Sequence, residues 1–111
     1  MTAMPAKRNA VAFQVANSRD PRAREAGAFW FLVDGDGTRI GIVHACHCGC
    51  GDDRVRGGIA FARPGVKGWE PSGEWPKATL KPSIGIRNPD KKDGQPYHWH
   101  GFLTNGVFEE C

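Results

Sequence analysis

The chain has 111 residues, 15 Lys and Arg against 12 Asp and Glu, a net charge of +3, 15 Gly and 8 Pro. That length fits one domain, residues 1–111, with a thin core, and so much Gly and Pro excludes a helical bundle while suiting short strands and tight turns. No apolar run approaches the roughly 20 residues of a membrane span, and residues 1–16 lack the apolar stretch of a signal peptide.

The expected location is therefore the cytoplasm, where clustered thiols serve as metal ligands more often than as disulfides. Charge is uneven along the chain. Residues 1–24 carry Lys7, Arg8, Arg19, Arg22 and Arg24 against Asp20 alone, a net of +4, which leaves the remainder at −1. Residues 1–10 read as a flexible basic arm. With a nearly neutral globular part, such an arm is a solvated segment rather than the footprint of a nucleic-acid binder.

In chain order, residues 11–16 (VAFQVA) predict a first strand, and 17–26 a polar loop around Pro21. Residues 28–33 (AFWFLV) form a dense apolar run suited to a buried strand. Asp34-Gly35-Asp36-Gly37 is a turn signal, and Ile40, Ile42 and His44 alternate after it, so 38–45 complete a hairpin. Residues 58–62 predict a short strand. Residues 64–82, broken by five Gly and Pro residues, predict irregular chain anchored by Trp69 and Trp75. Residues 83–87 (SIGIR) form a short strand, and 88–96 are polar and turn-rich. Strands 97–104 and 107–111 close on Asn105-Gly106, the dipeptide suited to a type I′ turn because both positions need positive φ. No segment has helical periodicity. The expectation is a mainly β fold, a small sheet of antiparallel hairpins with a zinc knuckle and little helix.

Cys46-His47-Cys48-Gly49-Cys50-Gly51 places three thiols within five residues, separated by glycine that permits tight bends. This resembles a zinc knuckle, and zinc suits thiolates that need no redox role. A tetrahedral ion needs a fourth ligand. The two-residue turn at Asn105-Gly106 makes Thr104 face Val107, and by the same register His100 faces Cys111, with Cα atoms about 5.5 Å apart. Period-2 alternation puts His98 on the His100 face and sends Tyr97, Trp99 and Leu103 to the core side. Cys46, Cys48, Cys50 and Cys111 are thus the expected ligands of a structural Zn2+. Alternatively one of His44, His47, His98 or His100 displaces a thiol.

The knuckle, then Thr79-Leu80 with Pro82-Ser83-Ile84, then His100-Gly101-Phe102 through Asn105-Gly106 to Cys111, together resemble the bacterial and phage domain-of-unknown-function family 6527. The matching motifs span about the last 65 residues. Ala78 stands where a Pro is usual, and Trp99 where many phage members have a Cys. Some members accompany bacterial ubiquitin-like conjugation operons and are atypical serine peptidases. The resemblance implies Ser83 as nucleophile, His100 as general base and the C-terminal tail of a ubiquitin-like protein as substrate. That pairing is chemically coherent, since a hydroxyl needs an adjacent base and imidazole serves near neutral pH. Glu109, Glu110, Asp52 and Asp53 are candidates to orient His100. Two other readings compete: a non-catalytic zinc module that binds a protein partner, and a zinc hydrolase with His98 and His100 among its ligands.

Overall fold

A computed structural model of the chain describes residues 8–52, 55–87 and 97–111. The expected polar turn at 88–96, the first residues of the basic arm and Asp53 lie outside the described residues. Among the described residues nine strands follow one another: β1 (Ala10–Val11), β2 (Phe13–Gln14), β3 (Ala28–Val33), β4 (Arg39–Ala45), β5 (Arg56–Ala60), β6 (Glu70–Ser72), β7 (Thr79–Arg87), β8 (Tyr97–Thr104) and β9 (Val107–Glu110). No helix occurs among the described residues.

The strands form two sheets, one in the order β1-β9-β8-β7-β6 and the other β2-β3-β4-β5. The mainly β expectation holds, with one addition. Phe13–Gln14 pairs with Ala28–Phe29 in parallel, so the fold is not built of hairpins alone. The main core gathers Phe29, Ile42 and Ile59 from the second sheet and Leu80, Ile84, Ile86, Trp99, Leu103 and Phe108 from the first. A smaller core of Val15, Ala23, Ala28, Trp30 and Ala45 lies apart from it. Because side chains alternate along a strand, β3 supplies Phe29 to one core and Ala28 and Trp30 to the other. That double burial is why its sequence reads as an unbroken apolar run.

The expected strand 11–16 is split. Its two halves join different sheets, β1 beside β9 and β2 beside β3, with Ala12 buried between them. The stretch read as irregular contains β6, whose Glu70–Ser72 pairs with Thr79–Lys81 and so lengthens β7 beyond the expected 83–87. Trp75 packs against Phe29, Phe31 and Phe61, and the Trp69 indole N–H donates to the Ser83 carbonyl oxygen at 3.1 Å. Both tryptophans anchor this segment as expected.

The C-terminal hairpin has the expected register, Thr104 facing Val107 and Gly101 facing Glu110. Asn105 and Gly106 have φ of 47° and 80°, as a type I′ turn requires. Pairing between β7 and β8 is interrupted twice. Leu80 faces Leu103 while Ile84 faces Gly101, so Lys81, Pro82 and Ser83 together oppose Phe102. Ile86 faces Trp99 while Arg87 faces Tyr97, leaving His98 as an extra residue. Bulges of this kind redirect side chains, and these two flank the pair Gly85 and His100, which face each other.

Candidate active site and metal group

The bulge at His98 settles where three neighbouring side chains go. Trp99 stays fully buried, His98 is half-buried, and Tyr97, expected on the core side, is exposed because the extra residue reverses the alternation at that point. His98 reaches the knuckle. Its Nδ1 lies 3.0 Å from the Cys46 sulfur and 3.3 Å from that of Cys48, and the two sulfurs are 3.1 Å apart.

The donor atoms of Cys46, Cys48, Cys50 and His98 all lie within 4.8 Å of one another, close enough that the four could hold a metal ion. Three soft thiols and an imidazole are a donor set that suits a closed tetrahedral site. Burial pushes the Cys46 thiol well up, with the Cys48 and Cys50 thiols adding to the effect. A cation among these sulfurs would offset that cost by stabilising the thiolates.

Cys111, expected to complete the ligand set, lies outside this group and is exposed. The hairpin register does place it beside His100, whose carbonyl oxygen accepts from the Cys111 N–H at 3.0 Å. The thiols, however, gather around His98, two residues further along the strand, and that offset takes Cys111 out of the set.

His44 and His47, weighed as alternative ligands, are buried instead. Gly27 N–H donates to His47 Nδ1 at 3.0 Å, so the ring proton of His47 sits on Nε2. That Nε2–H faces His44 Nδ1 at 2.9 Å, which puts the His44 proton on its own Nε2. In this tautomer the 3.2 Å approach of His44 Nδ1 to the Ala45 carbonyl oxygen is a contact of two acceptors. His44 Nε2 is buried with no partner among the described residues, pressed against Gly57, where an added Cβ would lie 2.3 Å away. His47 stacks on Phe108 with ring centroids 3.7 Å apart. Burial holds His44 down to about 4, and burial together with the neighbouring His44 holds His47 down to about 2. Both rings are therefore neutral and structural.

His100 stands apart from the metal group. Its Nε2 is 3.2 Å from Ser83 Oγ, within reach of a hydrogen bond in which the hydroxyl donates. Both side chains are half-buried. Ser83 belongs to the bulged part of β7, and its carbonyl oxygen is held by Trp69. Such an arrangement can transfer the serine proton to the imidazole as the oxygen attacks an acyl carbon.

Of the residues expected to orient the base, Glu110 pairs with Arg8, accepting from Nε at 2.7 Å. Asp52 lines a cavity with Ser18, Arg24, Trp30 and Arg56. Among the described residues no carboxylate contacts His100. Arg8 also accepts from the Trp99 indole N–H through its carbonyl at 2.8 Å, so the last part of the basic arm lies on the C-terminal strands. His98, expected only as an alternative to one of the thiols, is the histidine that joins the group, while the place of Tyr97 beside His100 escaped sequence reasoning because no residue type announces the bulge.

Fold and site together define a small two-sheet β protein with a Ser–His pair beside a thiol-rich metal group. The model of one family, the bacterial ubiquitination-like system serine protease (BubE), matches residues 16–111, and the chain belongs to that family. No curated protein and no solved structure matched the chain. No helix among the described residues is long and apolar enough to cross a membrane.

Proposed function

We propose that the protein is a zinc-stabilised atypical serine peptidase that processes or deconjugates a bacterial ubiquitin-like protein, with Ser83 as nucleophile and His100 as general base. The observation that carries this reading is the 3.2 Å approach of His100 Nε2 to Ser83 Oγ. Membership of the serine protease family supports it.

In the proposed reaction His100 takes the Ser83 proton as Oγ attacks the carbonyl carbon that ends the ubiquitin-like tail. It then returns the proton to the departing amine, leaving an acyl-enzyme that water hydrolyses by the same exchange. Cys46, Cys48, Cys50 and His98 would hold Zn2+ in a closed site whose contribution is structural, tying the start of β8 to the knuckle. His100 lies outside that set and so is left to serve as the base.

The test is labelling by a fluorophosphonate probe, located by mass spectrometry, together with cleavage of a ubiquitin-like protein extended beyond its tail. Ser83→Ala is expected to lose both while keeping its metal content and thermal midpoint. Cleavage at the wild-type rate by Ser83→Ala would overturn the proposal.

A further inference from the structure

Gly85 sits inside β7, where a glycine weakens a strand and needs a reason. Its backbone supplies none, because its φ lies outside the left-handed region. The space above it does. A Cβ at Gly85 would come within 2.5 Å of the Tyr97 ring, so the missing side chain is the seat of that ring.

Gly85 is also the residue that faces His100 across the ladder. The Tyr97 ring, seated there, lies against the His100 imidazole with centroids 5.0 Å apart and planes 18° from parallel. The extra residue at His98 is what brings Tyr97 to this side of the sheet. Tyr97 is 46% exposed, so the ring is not held there as part of the core.

A general base must keep its acceptor nitrogen aimed at the nucleophile, and in a triad a carboxylate on the other ring nitrogen does this. Among the described residues none reaches His100. We propose that Tyr97 is the positioning residue for His100: seated over Gly85 and stacked on the imidazole, its ring fixes the imidazole plane and so aims Nε2 at Ser83. This rests on the peptidase reading above. It assigns to an aromatic face, with a glycine as its seat, the orienting task that a carboxylate usually performs.

The experiment compares Tyr97→Ala, Tyr97→Phe, Gly85→Ala and the Gly85→Ala/Tyr97→Ala double variant. It measures kcat and KM for tail cleavage and the rate of fluorophosphonate labelling, which needs an activated serine but no bound tail. Tyr97→Ala is expected to lower kcat and labelling by about ten- to a hundredfold, the range that misplacing a reacting group costs, with KM and thermal midpoint little changed. Tyr97→Phe keeps the ring and restores both rates. Gly85→Ala displaces the ring and reproduces the loss. The double variant is no slower than Tyr97→Ala, because the added methyl then has no ring to displace.

Labelling of Tyr97→Ala at the wild-type rate, a rise in KM alone, or multiplied losses in the double variant would each overturn the proposal. These results leave the peptidase reading standing. Wild-type protein that neither labels at Ser83 nor cleaves removes that reading and this inference together.

Discussion

His98 and His100 are two residues apart on one strand, yet His98 Nδ1 lies 3.0 Å from the Cys46 sulfur while His100 Nε2 lies 3.2 Å from Ser83 Oγ. Their substitutions should therefore separate cleanly. His98→Ala is expected to weaken zinc binding by at least about a hundredfold, since loss of even a supporting contact to a metal ligand costs up to that much. It should also lower the thermal midpoint. His100→Ala is expected to keep zinc and stability and to lose cleavage. Competition with a chromophoric chelator, run beside thermal unfolding, checks both.

Cys111 provides a control for the ligand set. It is exposed and outside the group formed by Cys46, Cys48, Cys50 and His98. Cys111→Ser should keep one zinc per chain and change stability by no more than about 0.5 kcal/mol. Cys46→Ser should release the metal. Zinc lost from Cys111→Ser on elemental analysis would count against the ligand set.

The buried histidines make stability sensitive to acid. His44 titrates near 6.5 when unfolded but is held at about 4 in the fold. The unfolded chain thus binds more protons between those values. The contribution of neutral His44 is complete above about pH 6.5 and is lost as pH falls toward 4, by up to about 1.4 kcal/mol per pH unit. His47, held at about 2, acts in the same direction over a wider span. Urea unfolding from pH 7.5 to 5 should show this decline. At equal metal loading, His44→Leu should flatten it.

Gly106 combines a backbone requirement with a steric one. Its φ is 80°, and an added Cβ would lie 2.7 Å from the Pro76 carbonyl oxygen and 2.8 Å from Lys77 Cα. The turn is also embedded, since Gly106 N–H donates to the Ala78 carbonyl and Asn105 N–H to Thr79 Oγ1, each at 3.0 Å. Gly106→Ala is expected to cost about 2 kcal/mol or more, a fall of roughly 10 °C in midpoint for a chain of this size. Differential scanning calorimetry reads it directly.

The legible parts of the fold were those with local rules behind them. Residues 28–33 matched β3 because a strand buried on both faces has a continuous apolar signature. The last hairpin was legible down to its register because Asn105-Gly106 admits one turn geometry, and that register then places every opposing pair. The knuckle showed itself by thiol spacing. What escaped was non-local. The split at Ala12 depends on which sheet each half joins, and β6 exists because β7 is there to pair with it. The bulge at His98 overturned the alternation argument for Tyr97, sending its ring outward, and it left His98, weighed only as an alternative ligand, beside the thiols. Ser83 and His100 came from family resemblance. Nothing in the spacing of a serine and a histidine 17 positions apart reveals that their strands are adjacent.

That adjacency reaches beyond the chemistry. Ser83 and His100 are carried by neighbouring strands of one sheet, so their separation is set by ladder hydrogen bonds and not by the length of chain that joins them. The spacing is thus a property of the sheet: a substitution that leaves Ile84 paired with Gly101 and Gly85 with His100 keeps it, while one that slips this register by a residue parts the two side chains without touching either.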